Sequence, residues 1–154
     1  EQTQCAHTIA AGHTGIDFDF WWIAHGIPFR WQYQILPENI LGHSDIAPNR
    51  KKDPGEKFPW EYLFKNKIGF WHNLDKKELI KFRTLKVDNL EKKLFYKNIV
   101  KIGYSEKNFK NSKLKIIKRT KILTKAFQRR FRQDLVNGII DQECLIISKN
   151  LMNK

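Results

Sequence analysis

A histidine, a lysine and an aspartate lie within one short stretch of this 154-residue chain, GHSDIAPNRKKDPGEKFPW, which runs from Gly42 to Trp60. His43 precedes Asp53 by ten positions, and Lys51 lies two positions before Asp53. Imidazole nitrogen and carboxylate oxygen are ordinary zinc ligands, and a catalytic zinc usually has three protein ligands and one open position for water. A lysine beside such a site could stabilise the negative charge that develops when water attacks a carbonyl. The stretch therefore predicts the chemistry of metal-assisted hydrolysis.

The same stretch contains residues that prevent a helix. Pro48 lies between the histidine and the aspartate, and Pro54-Gly55 follows the aspartate. The two side chains therefore cannot share a helix face. A stiff loop must bring them together. A second interpretation remains open on these residues alone, in which the histidine is a surface residue and the aspartate caps a turn.

The full string, GHSDIAP-x-RK-x-DPG followed by FPW, resembles the signature of the type 2 N-acetylmuramoyl-L-alanine amidases. These are bacterial zinc enzymes that cut the amide between N-acetylmuramic acid and L-alanine in peptidoglycan. The resemblance implies a Zn²⁺ cofactor with His43 and Asp53 as two of its ligands, and it implies that Lys51 stabilises the tetrahedral oxyanion. Asp45 is expected to hold the loop through backbone hydrogen bonds, and Arg50 is expected to form a structural ion pair.

The family also has a further zinc histidine on an earlier strand and a catalytic glutamate on a strand that reads I-G-I-E. His13 is a candidate for the missing ligand, and Asp17, in Thr14-Gly15-Ile16-Asp17, is a candidate for the catalytic carboxylate. Neither has the family's sequence context, and His7 and His25 remain alternatives. We therefore expect a truncated or divergent N-terminal part, with weak or absent turnover from this chain alone.

Two further features concern the C-terminal half. Residues 126–151 resemble the end of a three-helix peptidoglycan-binding domain, with an FQ-x-x-F helix, a turn at Gly138 and Asp141 at the start of the last helix. Helical spacing predicts one face that contains Val87, Leu90, Leu94 and Ile102, with Phe95 and Ile99 beside it. It predicts a second helix with Ile116, Thr120, Leu123, Phe127 and Phe131, and a third with Cys144, Ile147 and Leu151 directed inward.

The expected fold is an α/β amidase core in residues 1–72, with a partial mixed sheet, helices and a long zinc-site loop. A small all-α three-helix domain is expected in residues 73–154. Asn39-Ile40-Leu41 is a strand-like run that leads into the loop. Cys5 and Cys144 could form one disulfide, but both are expected to be free thiols, with Cys144 as a small core residue.

The charge distribution leaves other functions open. The net charge is +13, and the chain after His72 has 22 basic and 8 acidic side chains. The basic C-terminal half leaves open a nucleic-acid-binding protein, whereas a motif without its catalytic partners leaves open a cell-wall-binding remnant of an amidase without catalysis. The nucleic-acid-binding alternative lacks a recognisable module, so we expect peptidoglycan or muropeptide as the partner, no nucleic acid, and a monomer.

No apolar run predicts a transmembrane segment, and no signal peptide is visible in this chain, so the cell envelope, periplasm and cytoplasm all remain possible locations.

Overall fold

The computed structural model describes residues 35–104, 109 and 115–153. This part of the chain is helical, with a 3₁₀ turn at Pro37–Asn39 followed by α1 (His43–Ile46), α2 (Trp60–Lys65), α3 (Lys76–Ile80), α4 (Asn89–Ile102), α5 (Ile116–Phe131) and α6 (Gln142–Met152). Within these ranges, we find no helix with the length and apolar character needed to cross a membrane.

The expected α/β core with a partial mixed sheet is wrong for the residues that the structure describes, because none of them forms a strand. The strand-like run Asn39-Ile40-Leu41 is one example. The backbone N–H of Ile40 donates to the carbonyl of Pro37 (3.2 Å), which closes the 3₁₀ turn, and the carbonyl of Ile40 accepts from Nη2 of Arg130 (2.9 Å). The groups that a strand would share with a neighbouring strand are therefore already paired.

Helix α4 has a capping box at its start. The side chain of Asp88 accepts from the N–H of Glu91 (2.7 Å), and the side chain of Glu91 accepts from the N–H of Asp88 (2.9 Å). The helix ends at Gly103, whose φ of 121° is accessible mainly to glycine.

The apolar face predicted for α4 is partly wrong. Phe95 and Ile99 are fully buried, whereas Leu90 is 74% exposed and Leu94 is also exposed. Helix α4 packs on α6, and the amide of Asn98 donates to the hydroxyl of Ser148 across this contact (3.1 Å). The face that carries Phe95 and Ile99 is the one that packs, so the neighbouring face with Leu90 and Leu94 is directed toward solvent.

The other two helical predictions are confirmed in their central parts. Leu123, Phe127 and Phe131 of α5 are buried, although Ile116 at its start is 72% exposed. In α6, Asp141 is the N-cap, because its side chain accepts from the N–H of Cys144 (3.0 Å). The inward residues of α6 are buried as predicted, namely Cys144, Ile147 and Leu151.

The glutamine of the FQ-x-x-F sequence holds the turn between α5 and α6. Gln128 is fully buried; its Oε1 accepts from the N–H of Gly138 (2.7 Å), and its Nε2 donates to the carbonyl of Ile139 (2.8 Å). A Cβ at Gly138, where φ is 77°, would lie 2.8 Å from Cγ of Lys121. The turn therefore requires both the glycine and the buried amide.

A buried group of charges joins α6 to the segment after α3. Arg132 forms ion pairs with Asp141 and with Glu143 (3.5 Å to the latter). Glu143 also accepts two hydrogen bonds from Arg83, each of 2.8 Å. Because an unpaired charge in the interior is costly, these residues stabilise the fold only as a group.

Side chains on both sides of residue 73 belong to one hydrophobic core. The ring of Trp71 lies 5.7 Å from that of Phe131, and it stacks on His72 at 5.0 Å. Nε2 of His72 donates to the carbonyl of Phe131 (3.2 Å), and its Nδ1 accepts from the N–H of Leu74 (3.3 Å). The domain boundary near Asn73 stays a prediction, and the segments that it would separate are in close contact.

Burial of Cys144 predicts an unreactive thiol. Burial raises the pKa of Cys144 to about 12, so its thiolate, which is the reactive form, is scarce at neutral pH. In a Cys5→Ser background we expect the reaction with a disulfide reagent at pH 8 to be roughly a thousandfold slower than for an ordinary cysteine with a pKa of about 8.5. The reaction should become fast in denaturant. Reaction of the folded protein at the denatured rate would contradict this burial.

Candidate metal centre

The loop brings His43 and Asp53 together through backbone hydrogen bonds. Helix α1 is a single turn that begins at His43, and the chain then reverses between Ala47 and Lys51, where the N–H of Lys51 donates to the carbonyl of Ala47 (2.9 Å). The N–H of Ser44 donates to the carbonyl of Asp53 (2.8 Å). As a result, Nδ1 of His43 and Oδ2 of Asp53 are in direct hydrogen-bonding contact.

These two side chains fit the chemistry of a zinc site. The side chain of His43 is 30% exposed and that of Asp53 is 58% exposed, so a metal ion in solution could reach both. Their polar atoms are in direct contact, and an imidazole nitrogen with a carboxylate oxygen is a normal pair of zinc ligands. Among the residues described, however, no group of three histidine, cysteine, aspartate or glutamate side chains could hold a metal ion. The described loop therefore fits two ligands of such a site.

The charges around Asp53 favour its ionised form. The hydrogen bond from His43 lowers the pKa of Asp53 below its ordinary value, and the nearby charges of His43 and Lys51 lower it further. The carboxylate is therefore available as a ligand at neutral pH. Lys51 is exposed, and its ammonium group forms no ion pair with any residue in the described ranges.

The remaining predicted site residues precede the first residue that the structure describes. His13, the candidate third ligand, and Asp17, the candidate catalytic carboxylate, lie outside the described residues, as do His7 and His25. Their roles stay predictions.

One wall of the loop depends on a close approach at Gly42. A Cβ added to Gly42 would lie 2.5 Å from Cδ of Pro54 and 3.3 Å from the ring of Trp60. The Asp53–Pro54 peptide bond is cis. The ring of Phe58 lies 4.6 Å from that of Trp60, which is buried. The glycine before the histidine is therefore required because the proline after the aspartate packs directly on it.

Asp45 makes contacts that the sequence did not indicate. Its carboxylate accepts from the N–H of Gly42 (2.9 Å), as the expected backbone contact, but it also binds Nη1 of Arg130 (2.6 Å) and the hydroxyl of Tyr104 (2.5 Å). Arg50, the arginine expected to form an ion pair, is exposed and forms none with the described residues. Arg130 was missed, although an arginine beside Phe127 and Phe131 on a strongly apolar helix face indicates a buried carboxylate partner.

Comparison with known proteins finds amidases. The chain is 31% identical over 123 residues to the N-acetylmuramoyl-L-alanine amidase AmiD of Escherichia coli K12. This match covers 80% of this chain and 43% of AmiD. It is also 59% identical over 29 residues to the 1,6-anhydro-N-acetylmuramyl-L-alanine amidase AmpD of Enterobacter cloacae. That match covers 19% of this chain and 16% of AmpD. No family model matches the chain.

Solved structures give the same result. The complex of AmiD from E. coli with the substrate anhydro-N-acetylmuramic acid-L-Ala-D-gamma-Glu-L-Lys matches with a TM-score of 0.69 and 30% identity, over 85% of this chain and 49% of that one. AmpDH3 from Pseudomonas aeruginosa in complex with anhydromuramic pentapeptide matches with a TM-score of 0.63 and 26% identity, over 82% and 48% of the two chains. This chain spans less than half the length of the relatives that it matches.

The contact at Gly42 gives a testable prediction with a matched control. Gly42→Ala places a methyl group against Pro54 and Trp60, so we expect a loss of about 1–3 kcal/mol in the free energy of unfolding, as is usual for overpacking. Gly55→Ala is the control, because a Cβ there meets no atom within 4 Å. Thermal denaturation of the two variants measures the difference. Equal melting temperatures would show that the glycine is not required by this contact.

Proposed function

We propose that this chain, which is related to the type 2 N-acetylmuramoyl-L-alanine amidases, carries their zinc-ligand loop and takes part in hydrolysis of the amide bond between N-acetylmuramic acid and L-alanine. The observation that carries this proposal is the direct contact between Nδ1 of His43 and Oδ2 of Asp53, with Lys51 two residues before Asp53 on the same loop. The similarity to AmiD supports it.

Each residue has a proposed role. His43 and Asp53 would hold the zinc ion, and His13 is the proposed third ligand. When bound, zinc supplies a water of lowered pKa and polarises the carbonyl that is attacked. Lys51 would donate a hydrogen bond to the oxygen on which negative charge develops. Asp17 is the proposed general base and acid, which would accept a proton from the attacking water and deliver it to the leaving amine.

The proposed substrate is a muropeptide or the peptidoglycan from which it derives. AmiD and AmpDH3 have been solved with anhydromuramic acid peptides, which contain the amide bond in question. The resemblance of residues 126–151 to a peptidoglycan-binding domain supports a role for residues 73–154 in holding the wall polymer. We propose that the protein acts as a monomer on this substrate.

The ligand assignment predicts a loss of zinc in two variants and not in a third. His43→Ala and Asp53→Ala each remove a ligand, so zinc affinity should fall by more than the roughly 10–100-fold that is typical when only an outer-shell partner is lost. Lys51→Ala is the control, because the lysine is proposed to contact the substrate and not the metal. Zinc content after dialysis, measured by mass spectrometry, decides the matter. The same zinc content in all three variants would contradict the assignment.

The role of Lys51 predicts a loss of turnover without a loss of metal. Lys51→Ala should lower any turnover that the chain shows by roughly 10²–10³, as is typical when one donor to a developing oxyanion is removed. The assay is the release of L-alanine-headed peptide from an anhydro-muropeptide, with zinc added and with a chelator as the control.

Other outcomes of this assay favour the alternatives. A zinc-loaded protein that sediments with insoluble peptidoglycan but never cleaves a muropeptide would favour the wall-binding function without catalysis. Salt-sensitive retention on DNA that exceeds retention on peptidoglycan would favour a nucleic-acid-binding function.

A further inference from the structure

We propose that Arg130, on α5 in the C-terminal half, is a positioning residue for the metal-ligand loop, and that it acts on His43 through Asp45. This inference rests on the proposed function of His43 and Asp53 as zinc ligands. It makes the C-terminal helices part of the frame of the metal site, in addition to any role in binding the wall.

The guanidinium group of Arg130 contacts three parts of the N-terminal half at once. Nη1 binds Oδ2 of Asp45 at 2.6 Å, and Nη2 donates to the carbonyl of Ile40 (2.9 Å), which precedes the loop. The plane of the group lies over the ring of Trp60, 4.0 Å from its centroid. A rigid, planar guanidinium can make such contacts simultaneously, whereas an ammonium group cannot.

Asp45 transmits this position to the histidine. It lies two residues after His43 in the single turn of α1, and its Oδ2 also accepts from the N–H of Gly42 (2.9 Å), the residue immediately before His43. Its other oxygen, Oδ1, accepts from the hydroxyl of Tyr104 (2.5 Å). The carboxylate therefore holds the backbone on both sides of the histidine.

Tyr104 is suited to remain a donor in this group. Burial raises the pKa of Tyr104 well above its ordinary value, and the charge of Asp45 raises it further. The hydroxyl therefore keeps its proton over the physiological range and can donate to Asp45 throughout. Among the described residues, Arg130 and Tyr104 are the side chains that donate to this carboxylate.

Helix α1 requires this external support. It contains four residues, and a helix of one turn has no stability of its own in water. The side chains of Arg130 and Asp45 are only 3% and 5% exposed. If one of them is removed, water therefore cannot take its place beside the other. Loss of Arg130 would leave a buried carboxylate without its cation, and α1 could satisfy it only by moving toward solvent. Such a movement would displace His43 relative to Asp53.

The test compares Arg130→Met with Arg132→Met in the full chain. Arg132 is an equally buried, ion-paired arginine two positions away, but its partners are Asp141 and Glu143, away from the ligand loop. Both variants remove a buried charge, so both should lower the melting temperature. Only Arg130→Met should act on the loop.

Two measurements report on the loop, at a temperature at which both variants are folded. The first is amide hydrogen exchange at Ser44, whose N–H donates to the carbonyl of Asp53. The second is the dissociation constant for zinc, which should rise about 10–100-fold in Arg130→Met, as for other outer-shell partners, and stay unchanged in Arg132→Met. Exchange at Ser44 should likewise become faster in Arg130→Met alone.

Two further variants keep the test decisive if Arg130→Met does not fold. Tyr104→Phe retains the ring and the arginine and removes one donor to Asp45, so it should raise the zinc dissociation constant in the same direction by a smaller factor. Arg130→Lys retains the charge and loses the contact with Ile40, so it should lie between wild type and Arg130→Met.

The outcomes separate this inference from the proposed function. Wild-type protein that binds no zinc would contradict the proposed function, while exchange at Ser44 would still decide whether Arg130 positions the loop. Equal exchange at Ser44 in Arg130→Met and Arg132→Met would overturn the inference. So would an unchanged zinc affinity in Arg130→Met when the wild type binds the metal.

Discussion

The buried ion pair between Asp45 and Arg130 is the contact on which the arrangement of the ligand loop depends. The two residues are 85 positions apart in the sequence, yet their side chains are almost completely excluded from solvent. Breaking a buried pair by removing one partner typically costs about 3–5 kcal/mol, because the remaining charge is left without compensation. The pair therefore fixes the segment around Asp45 against α5. The position of the loop that contains His43 and Asp53 depends on this contact.

The loop itself adds a second level of constraint. Pro54 packs on Gly42, and the N–H of Ser44 binds the carbonyl of Asp53, so the segment before the turn and the segment after it are held at a fixed separation. This is the kind of support that a metal site requires, because ligands on a mobile loop would lose much of their affinity to the cost of ordering. The two proposed ligands, His43 and Asp53, are therefore exposed side chains on a loop that packing and backbone hydrogen bonds hold in place, and the carboxylate carries its charge at neutral pH.

The sequence was sufficient for the features that depend on local chemistry. The residue type of Asp141 predicted the N-cap of α6, and helical periodicity predicted the inward residues of that helix. The roles of His43, Lys51 and Asp53 stay predictions, although the loop does bring His43 and Asp53 into contact. The sequence was insufficient where long-range packing decides. Leu90 and Leu94 match a helical face as well as Phe95 and Ile99 do, and only the contact with α6 determines which face is buried. Ile40 has the character of a strand residue, but Arg130 binds its carbonyl. The apolar surroundings of Arg130 on α5 indicate a buried partner, but only the fold identifies that partner as Asp45.

The position of the bound metal tests the central claim most directly. Crystals of the full chain grown with zinc, with data recorded at energies on either side of the zinc absorption edge, would locate the ion without reference to any assumed ligand. We predict zinc bound to a ring nitrogen of His43 at about 2.0–2.1 Å and to an oxygen of Asp53 at about 2.0–2.2 Å, with the hydrogen bond between the two side chains replaced by the metal. Zinc bound elsewhere, with that hydrogen bond intact, would contradict the assignment of this loop as a metal centre.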